Sequence, residues 1–190
     1  MIFRIYSLMR KYLWRKIAGH KYISIGSGGF IDTPIRITPE YIMLGSGVNI
    51  FKHCRIEGVS KYNERLFTPV IQLGDQVSIQ QNLHMTCAES IVLGSGTAIA
   101  ANVTISDIHH SYHDISISIE RQNIEVSPVK IGKNCKIYNN VVILPGVTIG
   151  DHVSVGANSV VNRDIPSYTV VAGSPAKVLK KYNPITRKWN

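Results

Sequence analysis

The sequence predicts an all-β solenoid, a parallel β-helix of about six coils, and three observations predict it. Isoleucine, leucine, valine or methionine recurs every sixth residue, without a slip from Ile131 through Ile137, Ile143, Ile149 and Val155 to Val161. Glycine follows the aliphatic residue in Ile131-Gly132, Ile149-Gly150 and Val155-Gly156, and a small or branched residue stands four places on at Cys135, Val141, Val147, Val153 and Ser159. The earlier registers group in threes, so that each hexad reads as one short strand with a turn and three hexads as one triangular coil.

In chain order the first coil carries Ile25, Ile31 and Ile37, the second Leu44, Ile50 and Ile56, the third Leu73, Ile79 and Met85, and the fourth Leu93, Ile99 and Ile105. The unbroken run supplies the last two. Interruptions fall only between triplets: about one extra residue after the first coil, about eleven after the second, two after the third and about twenty after the fourth. All insertions therefore leave from one corner, which the stacked strands tolerate and where solenoids keep function.

Before the coils, residues 1–21 form a basic arm. Ile2, Ile5, Tyr6, Met9, Leu13 and Ile17 recur at helical spacing, while Arg4, Lys11 and Arg15 lie on another side, so the arm reads as a basic amphipathic helix. It either caps the solenoid or lies in the interface of an anionic membrane, with Trp14 available for the second role. The β-helix is expected over 22–165 with a loop at 106–130, and a basic C-terminal extension over 166–190.

With 190 residues the chain has room for one domain with a continuous core. No stretch approaches eighteen uncharged apolar residues, and the arm lacks the apolar region and cleavage site of a signal peptide, so a cytoplasmic or peripheral protein is expected. The net charge of +9 is concentrated in the arm, where no acidic residue precedes Asp32. Basic residues are not interleaved with aromatic ones in a nucleic-acid module, so nucleic acid is not the expected partner. Cys54, Cys87 and Cys135 show no paired spacing and read as structural thiols.

The chemistry concentrates in the long insertion, which opens Ser106-Asp107-Ile108-His109-His110-Ser111-Tyr112-His113-Asp114. Histidine is suited to removing a proton near neutral pH, and a carboxylate or carbonyl on its second nitrogen fixes its tautomer. The hexads, the histidine-bearing loop after Val103-Thr104-Ile105-Ser106, and the ending Val171-Ala172-Gly173-Ser174-Pro175-Ala176-Lys177-Val178 together resemble the hexapeptide-repeat acyltransferases. Within them the chain looks most like the sugar O-acetyltransferases, such as the galactoside and maltose acetyltransferases and those that acetylate O-antigen or colanic acid. The resemblance covers roughly residues 44 to 182.

That resemblance implies a left-handed β-helix, a homotrimer, and acetyl-CoA as co-substrate in the groove between subunits, with no metal required. It puts the catalytic base on His110, with Asp107, Gln80 and Asn82 toward the acceptor sugar. It puts the donor on Asn139, Ala157, Arg163, Lys177 and Lys180, the three cations facing phosphates. Many relatives carry Trp-Ile-Gly where this chain has Lys136-Ile137-Tyr138, so the pantetheine groove is expected to differ in shape. The implied reaction is direct O-acetylation of a sugar or lipid-linked oligosaccharide in surface polysaccharide synthesis. Three alternatives stand beside it. One is N-acetylation of an amino sugar or nucleotide sugar; another is a zinc hydratase using His84, His110 and His113; the last is a non-catalytic trimeric scaffold.

Overall fold

The computed structural model describes Met9 and residues 21–190. The amphipathic helix expected over residues 1–21 lies outside the described residues save for those two positions. From Ser24 the chain winds through three parallel sheets, here A, B and C, in repeating order. The first turn comprises Ser24–Ile25, Phe30–Ile31 and Arg36–Ile37, and the last full turn Thr148–Ile149, Ser154–Val155 and Val160–Val161. Sheets A and C each hold six strands.

The hexad aliphatics stack on themselves. In sheet B, Ile50 pairs with Ile79, Ile79 with Ile99, Ile99 with Ile137 and Ile137 with Val155, and all five are fully buried. A strand of two residues buries one side chain and exposes the other, so the period of six carries the whole core.

The corners explain the remaining motif residues. Between sheets A and B the backbone of successive coils approaches so closely that a β-carbon on Gly94 would lie 2.5 Å from the carbonyl carbon of Gly132. Between sheets B and C a column of residues takes positive φ: His53, Asn82, Asn102, Asn140 and Asn158. Asparagine tolerates this conformation better than most side chains. The amides also form a ladder, with Nδ2 of Asn82, Asn102 and Asn140 donating to Oδ1 of the next at 3.0, 3.0 and 2.9 Å.

The three cysteines are buried and unbridged, their thiols donating to oxygens of adjacent coils, and burial raises the pKa of each. Both large insertions are antiparallel hairpins leaving the corner after sheet C. The first follows Arg55–Gly58 and pairs Lys61–Tyr62 with Arg65–Leu66; the second follows Thr104–Ser106 and pairs Ile108–His110 with Ile124–Val126.

The parallel stacking runs past residue 165, where the periodicity reading ends the solenoid. Ile165 bridges Ile149, and Thr169–Ala172 adds to sheet B beside Ser154–Val155. The corner after Val161 is two residues short, which breaks the period, but Ile165 and Val171 resume it and both are buried. Lys177–Asn183 then pairs antiparallel with Thr169–Ala172 and covers that sheet's edge.

Candidate active site

Sheet C builds the floor of an open cavity of about 520 Å³. The residues on either side of each buried aliphatic point outward. In register this places Arg55, His84 and Thr104 in one row and Glu57, Thr86 and Ser106 in the next. Thr86 and Ser106 hydroxyls lie 2.9 Å apart. The first hairpin adds Tyr62 to the wall, and the second adds Ile108, His110 and Ile124.

His110 stands on the second hairpin, where strand alternation turns it and Ile108 toward the cavity, while His109 packs on Tyr112. The hairpins brace one another across the mouth. Tyr62 presents its ring edge-on to His110 at 5.4 Å, with its Oη 3.4 Å from Nδ1. The same hydroxyl donates toward Glu120, whose backbone oxygen and Oε2 both lie at 3.0 Å. Asn63 donates to the carbonyl of Gln122 at 3.0 Å. Desolvation and the Glu120 carboxylate hold the Tyr62 phenol above its ordinary pKa, so it remains a donor. A tyrosine hydroxyl that gives its proton to Glu120 is left to accept one from Nδ1–H, which presents the lone pair of Nε2 to the cavity.

Asp107, expected beside the acceptor, is fully buried instead. Its carboxylate accepts the backbone N–H groups of Ala88, Glu89 and Ser90, each at 2.8 Å, and the Cys87 thiol at 3.3 Å. It locks the turn of the preceding coil to the strand that leads into His110. Gln80 and Asn82 also lie apart from the cavity. Asn82 begins the amide ladder at the corner between sheets B and C, and the outward face of sheet C begins two residues later, at His84.

Asn139 and Ala157 are exposed at that same corner, Arg163 follows sheet C in the last turn, and Lys177 and Lys180 lie on the covering strand of sheet B. None of the five lines the His110 cavity. Of the histidines considered as zinc ligands, His84 and His110 share the cavity, whereas His113 faces Glu125 at 3.7 Å. No group of three His, Cys, Asp or Glu side chains suited to a metal occurs among the described residues.

The sequence reading gives no acceptor role to Arg55, Glu57, His84, Thr86, Thr104, Ser106 and Tyr62, and names His84 only as a zinc ligand. Six of these were within its reach, because they flank the buried Ile56, Met85 and Ile105 on three consecutive coils above the insertion. Glu57 is only 8 % exposed and is held by Nε of Arg36 at 2.6 Å and Nη2 of Arg55 at 2.5 Å. Desolvation in the cavity wall, and then the Arg55 cation, keep His84 below the ordinary histidine pKa, against a weaker opposing effect of Glu57.

Residues 128–163 match the family model described as bacterial transferase hexapeptide (six repeats). A protein of Escherichia coli K12 provisionally named lipopolysaccharide biosynthesis O-acetyl transferase WbbJ is 38 % identical over 158 residues, 80 % of each chain. The chain belongs to the hexapeptide-repeat acetyltransferases. The galactoside O-acetyltransferase of the same organism is 37 % identical over 114 residues, 60 % of this chain and 55 % of that one. Among solved structures, a hexapeptide-repeat acetyltransferase of Vibrio cholerae O1 biovar eltor, complexed with acetyl coenzyme A, superimposes with a TM-score of 0.62 at 28 % identity. It covers 92 % of this chain and 77 % of that one. The hexapeptide-repeat acetyltransferase described here is thus an acyltransferase, and its hydroxyl-lined cavity lies beside the histidine of its longest insertion.

Proposed function

We propose that this acetyltransferase moves the acetyl group of acetyl-CoA to a sugar hydroxyl, in the synthesis of a surface polysaccharide, with His110 as general base. One arrangement carries the reading: His110 closes a cavity floored by Thr86, Thr104 and Ser106, with its Nδ1 edge turned to the Tyr62–Glu120 pair. Acetyl-CoA supplies the acetyl group as an activated thioester. Nε2 of His110 takes the proton of the sugar hydroxyl as that oxygen attacks the thioester carbonyl, while Tyr62 holds the tautomer; the C–S bond then breaks and CoA leaves as the thiol, protonated by His110. The floor hydroxyls hydrogen-bond the sugar and orient it.

The donor residues carried over from the family, Asn139, Ala157, Arg163, Lys177 and Lys180, favour a shared site. Asn139 and Ala157 stand at the corner before sheet C and His110 beyond the corner after it, so within one copy a whole sheet separates base from donor. A neighbouring copy that offers its own B–C corner to the cavity completes the site. This fits a homotrimer of left-handed coils with acetyl-CoA in the groove between subunits.

Thiol release from acetyl-CoA, measured with and without a panel of sugars, tests the reading. Acceptor-stimulated release should fall by about 10²- to 10⁴-fold in His110→Ala while acetyl-CoA binding persists. A defect confined to acetyl-CoA binding would remove His110 from the role of base. The basic arm further suggests an acceptor at the cytoplasmic membrane face, such as a lipid-linked oligosaccharide. The chain without residues 1–20 should then no longer partition onto anionic liposomes, and undiminished partitioning would sink that part.

A further inference from the structure

The wall of the cavity beside His84 carries more positive charge than its own packing requires. Arg36 and Arg55 are directly paired on adjacent strands of sheet C, with Glu57 the carboxylate between them. Both oxygens of Glu57 are engaged, Oε1 by Nε of Arg36 and Oε2 by Nε and Nη2 of Arg55. One arginine would neutralise this nearly buried acid; the second leaves a surplus cation at the cavity edge. Among the described residues, Nη1 of Arg55 and both terminal nitrogens of Arg36 have no partner.

Glu57 is the only carboxylate among the described residues that line the cavity; Glu120, on the second hairpin, accepts from Tyr62, and the remaining titratable groups facing the cavity are His84, His110 and the Tyr62 phenol. The depressed His84 pKa agrees, since the Arg55 cation acts on that imidazole more strongly than Glu57 does. Arg55 is the charged group of the wall that remains accessible, its side chain 41 % exposed and adjacent to His84 in register.

We propose that Arg55, braced by Glu57 and Arg36, forms an anion subsite in the acceptor cavity, so that the acceptor carries a phosphate or carboxylate near the hydroxyl to be acetylated. This rests on the cavity being the acceptor site, as in the function proposed above. A guanidinium fork held by a buried carboxylate is pre-oriented, and its outer donors meet two anionic oxygens without further ordering. Phosphate and carboxylate share this chemistry; sugar phosphates or diphosphates would supply one and acidic sugars the other.

Equilibrium binding to the full chain of glucose, glucose 1-phosphate and glucuronate, at one ionic strength, tests it. At least one anionic sugar should bind about tenfold or more tightly than glucose, as expected of one charge-assisted pair. The better of the two names the anion. Because Arg55→Gln alone would leave Glu57 short of a partner, the informative variant is Arg55→Leu with Glu57→Leu, which removes both charges while filling the space. It should reduce the advantage to within about twofold while acetyl-CoA binding is retained, and Arg55→Lys should keep part of it. Equal binding of all three sugars, no binding of any, or an advantage that survives the double substitution would overturn the proposal. The assay involves no acetyl transfer, so an anion advantage without acceptor-stimulated thiol release would sink the proposed reaction and leave the subsite standing.

Discussion

Replacing Asp107 should unlock the strand that carries His110, the base of the proposed reaction. Its fully buried carboxylate satisfies three backbone N–H groups, of Ala88, Glu89 and Ser90. Asp107→Ala leaves all three without their acceptor. An unsatisfied buried donor costs about 1–3 kcal/mol, and water entering from the neighbouring cavity recovers part, so a loss of about 3–5 kcal/mol is expected. For a chain of this size that corresponds to a melting temperature lower by on the order of 10 °C. Asp107→Asn is the sharper probe. Its amide oxygen can keep the Glu89 and Ser90 donors, but its NH₂ then opposes the Ala88 N–H, a change of about 1–3 kcal/mol. Thermal unfolding at fixed protein concentration, followed by circular dichroism, reads the stability. Turnover should fall along with it, because His110 lies three residues on, whereas the acceptor KM should change little. An Asn variant with unaltered melting temperature and a raised acceptor KM would refute the buried-anchor account and return Asp107 to the acceptor.

Two further outcomes follow from the same geometry. Tyr62→Phe keeps the ring edge against His110 but removes the hydroxyl shared with Glu120, so kcat should drop by about five- to tenfold with acetyl-CoA binding unchanged; full activity would remove Tyr62 from the tautomer relay. His84 is held below its ordinary value, so the unfolded chain binds its proton more readily: the corresponding stability is present above about pH 6.5 and is lost as the pH falls through the lowered value. His84→Gln should flatten that limb of a melting-temperature profile between about pH 5 and 8, and an unchanged acid limb would show that other groups produce it.

The solenoid was legible because its constraint is local. Whether Ile137 or Lys136 is buried depends on position within one hexad, and the same choice repeats at every turn, so periodicity alone recovers the strands and the corner that bears both insertions. The histidine cluster in the longest insertion is a chemical signal, and the family resemblance singles out His110 within it. The continuation through Ile165 and Val171 escaped because one short corner disturbs the spacing that defines the signal.

Charge and residue type misled where burial decides the role. Asp107 beside the histidines looks like an acceptor contact, yet register buries it beneath the turn at Ala88–Ser90, where its carboxylate serves backbone donors. Asn82, expected toward the acceptor sugar, takes positive φ and donates to Asn102 at the exposed corner between sheets B and C, outside the His110 cavity of its own copy. Sequence by itself determined the period, the core, the corner of the insertions and the histidine-bearing segment that reaches the cavity. Only the tertiary structure decided that Tyr62 meets both His110 and Glu120, that Arg36 and Arg55 share Glu57, and that sheet C is the cavity floor. Those contacts join residues on different coils and hairpins, and insertion lengths between coils hide from any local pattern which residues the stacking will align.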